Sequence, residues 1–142
     1  MAGPSATETV TTTASVTVTC TKRDLAFGPN GSVDLTGTWE GDDGAIHYIR
    51  QLGHQVWWAG LSGLGGAADN GSDFFNVYHG TMTGQRITGA YVDLPTGGSL
   101  FDDPHLAWTV RAVHGRVVIT KAKSSAKSLF EGAVLTPCNE VR

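Results

Sequence analysis

Residues 45–61 read AIHYIRQLGHQVWWAGL, two runs rich in β-branched and aromatic residues on either side of a glycine-containing turn. Such runs are typical of strands, and Gly53 can supply the positive φ that a tight hairpin needs. The runs lack the i, i+3, i+4 apolar spacing of a helix. This stretch therefore predicts an antiparallel β-hairpin.

The same pattern of short runs and turn residues continues along the chain. The predicted strands are residues 33–40, 45–51, 55–61, 74–81, 86–94, 106–113, 117–123 and 129–136, with an extra N-terminal strand at 14–20. Hairpin-length connections favour an up-and-down meander, and closing such a sheet removes its exposed edges. The sequence thus predicts an all-β fold, a single antiparallel barrel of about eight strands over 14–142 after a flexible segment 1–13, with a two-sheet sandwich as the alternative.

Two longer breaks interrupt the predicted meander. Residues 62–72 are dominated by Gly, Ala, Asp and Asn, and a second break runs from the end of the fifth strand to Pro104. Long glycine-rich connections are typical of mobile loops. The first is predicted to act as a lid over one end of the barrel.

Composition limits the partners that the protein can have. Only 16% of the residues are charged and the net charge is -3, so no positive field is available to hold phosphate backbones. No run approaches the ~18 apolar residues of a membrane-spanning helix. We therefore expect a soluble protein that binds neither nucleic acid nor membrane.

The two cysteines flank the regular pattern, Cys20 before it and Cys138 near its end. One disulfide between them would join the two ends of the domain, and two reduced thiols are the alternative. Residues 1–13 lack a basic segment followed by an apolar core, the pattern of a secretory signal. A bridge would indicate a secreted protein, and reduced thiols a cytoplasmic one.

Metal and cofactor motifs are weak. Asp42 and Asp43, and separately Asp102, Asp103 and His105, bring possible ligands together, but their spacing matches no established site and Asp in turns usually caps backbone N–H groups. The glycine-rich residues 60–66 fit neither a nucleophile elbow nor a dinucleotide loop. No histidine has a catalytic partner fixed by sequence, so we expect no metal and no cofactor.

The strand faces carry the functional signal. Several predicted strands place polar and aromatic side chains on the same face, a mixture that suits a barrel interior in which a small ligand is held by hydrogen bonds and flat apolar surfaces. The adjacent Trp57 and Trp58 must point to opposite sides, so one of them lies outside and can cover an interface with another subunit. The candidate ligand-binding residues are Tyr48, Arg50, Trp58, Asn76, Tyr78, Tyr91, Asp93 and Trp108.

Three short motifs resemble a known group of barrels. Gly37-Thr38-Trp39 resembles the Gly-x-Trp opening of the calycins, which include lipocalins, fatty-acid-binding proteins and avidins. Thr88-Gly89-Ala90-Tyr91 with Pro95, and Trp108-Thr109-Val110, are similar to runs of avidin and streptavidin. The resemblance implies an eight-stranded barrel, a ligand at its open end, frequent tetramers, and a ligand contact from Trp108.

The chain departs from the avidin pattern where biotin would bind. Glu40-Gly41-Asp42-Asp43-Gly44 replaces the polar groups that hold the biotin ureido ring, and residues 116–136 contain no tryptophan. The opening motif is also similar to that of nitrobindin-like haem barrels, but no axial histidine is identifiable. The resemblance therefore predicts the barrel without naming its ligand.

Three functions remain open. The first is a protein that binds a partly hydrophobic small molecule in the barrel, and the second is a cofactor-independent cyclase or isomerase that uses the same cavity, since shape and a few hydrogen bonds can promote such reactions. The third is a carbohydrate-binding module with exposed aromatics as its platform. A filled interior in which Arg50 pairs with Asp93 is the alternative to any ligand site.

Overall fold

The chain forms a closed antiparallel barrel in which each strand pairs with its neighbours in sequence and the last pairs with the first. The structure, a computed structural model, describes residues 20–61, 74–95, 101–123 and 133–139. The eight strands are β1 (Gly37–Gly41), β2 (Ile46–Leu52), β3 (Gln55–Leu61), β4 (Phe74–Thr83), β5 (Arg86–Pro95), β6 (Phe101–Val113), β7 (Arg116–Lys123) and β8 (Val134–Cys138). The prediction of an all-β, eight-stranded up-and-down barrel is confirmed.

Three tight hairpins lie at one end of the barrel, which we call the lower end. They join β2 to β3, β4 to β5 and β6 to β7, and each contains a glycine with positive φ. In the last of them both His114 (φ 51°) and Gly115 (φ 79°) are left-handed, as a type I′ turn requires. The opposite end, where β3 ends and β4 begins, is the upper end.

The strand β6 begins earlier than the sequence predicts. A loop was expected up to Pro104, with the strand beginning at Leu106, and proline lacks the N–H that a strand ladder uses. Asp103 pairs with Tyr91 and Leu106 with Gly89, so Pro104 lies in a β-bulge where the regular pairing is interrupted. The Asp103 carboxylate accepts a hydrogen bond from the His105 N–H (2.9 Å), which replaces a ladder bond at this point.

The segment before β1 closes the lower end of the barrel. Residues 33–36 were predicted as strand, but Val33 and Leu35 pack against the core instead, together with Leu25 and Phe27. The Trp39 indole N–H donates to the Leu35 carbonyl (2.8 Å), so the first strand holds this segment in place. A short 3₁₀ turn, Pro29–Gly31, reverses the chain within it.

The predicted disulfide is present. Cys20 and Cys138 are bridged with their Cα atoms 5.3 Å apart, across 118 residues of sequence. Strand β8 continues to Cys138, two residues beyond its predicted end at Thr136, since it pairs with β1 along this length. The bridge therefore fixes the segment that enters the barrel to its last strand.

Some predicted features fall outside the described residues. They are the flexible segment 1–13, nearly all of the extra N-terminal strand at 14–20, the candidate lid at 62–72 and the start of the last predicted strand at 129. Within the described ranges, no helix has the length and apolar character needed to cross a membrane.

Candidate functional site

The inner wall of the barrel is built in layers, because residues paired across antiparallel strands point to the same side. Near the upper end, His47, Gly60, Asn76 and Asp93 lie opposite one another in register across β2 to β5. We call these four residues the polar layer. One layer lower, the same strands place Ile49, Trp58, Tyr78 and Tyr91 in register.

The polar layer is buried and incompletely hydrogen-bonded. Asn76 is 0% exposed and His47 1%. The Asn76 Oδ1 accepts a hydrogen bond from the Trp58 indole N–H (3.3 Å). Among the described residues, the Asn76 Nδ2, the His47 Nδ1 and the Asp93 Oδ1 have no hydrogen-bond partner. Each such buried group costs about 1–3 kcal/mol when nothing bonds to it, so these three atoms mark a part of the interior with unused hydrogen-bonding capacity.

Glycine at position 60 allows His47 and Asn76 to pack directly against the backbone of β3. A Cβ at Gly60 would come within 2.7 Å of the His47 Nδ1 and would also collide with the Asn76 Oδ1. Any side chain there would displace both polar groups. The backbone of β3 therefore carries no side chain between His47 and Asn76.

Aromatic rings form the floor beneath the polar layer. Trp58 stacks on Tyr78 with ring centroids 4.2 Å apart and meets Trp108 edge-on at 5.1 Å. The Tyr78 hydroxyl donates to the Leu106 carbonyl (2.8 Å), which fixes its ring. His47 packs edge-on against Trp58 at 5.7 Å, so the aromatic floor and the polar layer are in direct contact.

The electrostatic character of the layer differs from one side to the other. On β2, burial lowers the pKa of His47 to about 4, against the opposing effect of the Asp43 carboxylate, so the imidazole is neutral at pH 7. On β5, burial raises the pKa of Asp93 above its ordinary value, although the Tyr91 hydroxyl donates a hydrogen bond to this carboxyl group.

Tyr91 links the floor to the acidic side of the layer. Burial and the neighbouring Asp93 carboxylate raise the pKa of Tyr91, which keeps its proton on the hydroxyl. The Asn76 amide is close enough to this hydroxyl to lower its pKa slightly, yet its Nδ2 makes no hydrogen bond of good geometry within the described ranges. Tyr91 therefore acts as a donor toward Asp93.

The structure separates the candidate ligand-binding residues into two groups. The inward-facing group is Trp58, Asn76, Tyr78, Tyr91, Asp93 and Trp108, and the expectation that Trp108 points inward is confirmed by its complete burial. Tyr48 (48% exposed) and Arg50 are on the outer face of β2, because their neighbours His47 and Ile49 fill the inner face. Their predicted position in the interior is wrong, and so is the pairing of Arg50 with Asp93 inside the barrel.

The sequence reasoning missed His47 and Gly60, although the hairpin between β2 and β3 contains the signal that identifies them. A two-residue turn at 53–54 pairs Ile49 with Trp58 and Tyr48 with Ala59. Trp58 and Tyr48 therefore point to opposite sides of the sheet. Once Trp58 is placed inside, His47 and Gly60 follow in the next layer.

The outer face of β2 to β4 is unusually apolar for an exposed surface. Trp57 is 39% exposed and stacks on His79 with ring centroids 4.6 Å apart and planes 7° from parallel. Phe75 and Val77 extend the exposed patch along β4. The assignment of Trp57 to the outside is settled by this stack, and the expected homo-oligomer stays a prediction.

Metal-ligating side chains do not converge in the described part of the chain, where no group of three His, Cys, Asp or Glu residues is placed to hold an ion. Asp103 pairs with the inward-facing Tyr91, is 1% exposed and accepts a hydrogen bond from the His105 N–H, whereas Asp102 is exposed. The two aspartates of the predicted cluster thus face in different directions.

Comparison with known proteins gives no match to a family model, to a curated protein or to a solved structure. The closed eight-stranded barrel agrees with the calycin-like architecture that the Gly-x-Trp motif implied. The closer resemblance to avidins stays a prediction from the motifs.

Proposed function

We propose that the upper half of this barrel binds a small, partly hydrophobic molecule between the polar layer and the aromatic floor. The observation that carries the proposal is the set of three buried, unpartnered polar atoms on His47, Asn76 and Asp93 around the bare backbone of Gly60. Polar groups of this kind are normally satisfied by water or by a ligand.

The aromatic floor supports a ligand rather than water alone. Small-molecule sites are mostly apolar, with a few convergent polar groups that fix orientation. Trp58 and Tyr78 supply flat apolar surface whose own polar atoms are already bonded, to Asn76 and Leu106 respectively. A guest in contact with the floor is therefore oriented by the polar layer above it.

The disulfide supports a secreted location for this binding protein, since bridges persist in oxidising compartments. The function needs no cofactor in this proposal.

Native mass spectrometry of the protein purified from its own source tests the proposal. We expect a retained small molecule in the wild type and in Tyr48→Phe, but a loss of about tenfold or more of the retained fraction in Tyr91→Phe, because the Asp93 carboxyl group loses the hydrogen bond that orients it in the polar layer and such a bond to a charged group is worth about 1.5–3 kcal/mol. Both variants remove one phenolic oxygen, from the outside and from the inside of the barrel respectively. Equal retention by the two variants, or no retained mass at all, would contradict the proposal.

A second candidate function is catalysis of a cyclisation or isomerisation in the same space. It is favoured by the Asp93 carboxyl, whose pKa is raised and which accepts a hydrogen bond from Tyr91, an arrangement suited to moving a proton. If the retained molecule is converted by fresh protein to an isomer of the same mass, and Asp93→Asn abolishes this conversion, catalysis is the function. An unchanged molecule favours binding.

A further inference from the structure

We infer that the ligand of the upper half is a protonated amine that carries a hydroxyl or carbonyl oxygen close to its nitrogen, on a flat apolar body. The inference rests on the proposed function and names the chemical class of its ligand. It follows from the order of donors and acceptors around the polar layer.

The charged end of the ligand is set by Asp93. Its Oδ1 is buried with no donor among the described residues, while the Tyr91 hydroxyl and the Leu94 N–H already donate to this carboxyl group. A carboxylate forms its strongest hydrogen bonds with a charged donor. An ammonium group at this oxygen would replace the solvation that the carboxylate lost on burial.

The surrounding charges favour a cation over an anion. Burial is the main cause that raises the pKa values of Tyr78 and Tyr91, and the carboxylates of Asp103 and Asp43 respectively raise them further, so a negative field reaches the interior. Lys121 occupies an inward-facing register position on β7, and it already takes part in an interaction of its own. Aromatic faces below the layer also attract cations.

The uncharged end of the ligand is set by Asn76. Its Oδ1 is used by Trp58, so the available group is the Nδ2 donor, which is fully buried and directly opposite Asp93 in the register. This donor repels an ammonium group and needs an acceptor oxygen. An acceptor at Asn76 next to a charged donor at Asp93 is the pattern of an amino alcohol or an amino carbonyl compound.

His47 excludes the reverse orientation. Its ring is buried and neutral at pH 7, which means that this side of the layer is too poorly solvated to hold a positive charge. Asp93 is only partly buried. The ammonium group therefore belongs on the β5 side, with the apolar body over the aromatic floor.

Three compounds that share a naphthalene ring and a hydroxyl test the inference by titration calorimetry at pH 7. They are 2-amino-1-(2-naphthyl)ethanol, which is cationic, 1-(2-naphthyl)ethanol, which is neutral, and 2-naphthylglycolate, which is anionic. We expect the amino alcohol to bind about tenfold or more tightly than the neutral alcohol, and the anion to bind most weakly.

Two matched variants test whether Asp93 causes the preference for the cationic compound. Asp93→Asn should reduce the difference between the amino alcohol and the neutral alcohol to about twofold or less, while Asp102→Asn, which removes the same charge from the outer face of β6, should leave it unchanged. Equal or tighter binding of the neutral or anionic compound, or a cation preference that survives Asp93→Asn, overturns the inference but leaves the binding function standing.

If none of the three compounds binds, the amine assignment is overturned. The proposed binding function falls with it only if native mass spectrometry also finds no retained molecule in the wild-type protein. The two failures are therefore distinguishable.

Discussion

A side-chain amide has both of its polar atoms hydrogen-bonded toward one end of the barrel and only one of them hydrogen-bonded toward the other. Gln51 lies toward the lower end, where its Oε1 accepts from the Leu35 N–H (2.9 Å) and its Nε2 donates to the Gly53 carbonyl (3.0 Å). Asn76 lies in the polar layer of the upper half, where its Oδ1 is bonded and its Nδ2 has no partner in the described ranges.

Packing follows the same division. Val56, Ile87 and Leu106 fill the lower half, and the segment that ends at Leu35 covers them. The upper half instead contains unpartnered polar atoms, and at Gly60 any side chain would collide with His47 and Asn76. The difference indicates that the lower half contributes more to stability, whereas the upper half, where we propose the ligand site, contributes less.

The largest effect is expected where the lower end is tied together. The double variant Cys20→Ser, Cys138→Ser should lose up to about 5 kcal/mol of unfolding free energy, since the bridge spans 118 residues and restricts the unfolded chain. Urea denaturation of the oxidised wild type and of the variant measures the loss. A loss below about 1 kcal/mol would mean that the segment before β1 stays packed on the lower end of the barrel without the disulfide.

A pair of core substitutions compares the two halves directly. Ile87→Ala in the lower half removes a fully buried side chain and should cost about 2–5 kcal/mol. Asn76→Leu in the upper half should cost less, about 1–3 kcal/mol, because the amide that it removes is incompletely bonded and the main loss is the acceptor of the buried Trp58 indole N–H. Equal losses, measured by denaturant unfolding, would contradict the division.

The buried His47 of the upper half should make the stability of the protein depend on pH. The pKa of His47 is about 4 in the folded protein and 6.5 in the unfolded chain, so the unfolded chain binds the extra proton between these values. Stability should therefore fall by up to about 3 kcal/mol as the pH drops from 6.5 to 4. The raised pKa of Asp93 has the opposite effect on stability. Above pH 3.8 the folded protein binds the extra proton at this group, so Asp93 makes the total loss of stability at low pH smaller.

A His47→Leu variant is the control for this pH dependence. Its unfolding free energy should vary less than that of the wild type between pH 6.5 and 4, because the buried imidazole is gone. The same slope in both proteins would assign the loss to other groups.

The smallest effect is expected at the floor. Tyr78→Phe should cost about 1 kcal/mol, the net value of a neutral hydrogen bond plus part of the desolvation cost of the Leu106 carbonyl that loses its donor. Thermal unfolding of the variant measures it. A loss above about 3 kcal/mol would show that the ring stack on Trp58 depends on this bond.

Much of the fold could be read from residue order, but the contents of the interior could not. Alternation and turn residues located most strands, and His114-Gly115 identified its hairpin, because these are local preferences of the backbone. The early start of β6 was missed, since the tolerance of Pro104 depends on a bulge opposite Ala90 in another strand.

The side of the sheet on which each residue lies was determined by pairing. Tyr48 has the same residue type as the interior Tyr78 and Tyr91, and the register with β3 places it and Arg50 outside. A shift of one residue exchanges the two faces, so composition cannot decide between them.

The sequence by itself determined the class of fold, the tight hairpins and the inward position of Trp108, because these depend on local backbone preference and alternation, and it named the one pair of cysteines that could be bridged. Only the tertiary structure decided that His47, Asn76 and Asp93 share one layer around Gly60. The physical reason is that hydrogen-bond satisfaction inside a barrel is a property of the closed sheet, since partners for a buried group come from strands far apart in the chain.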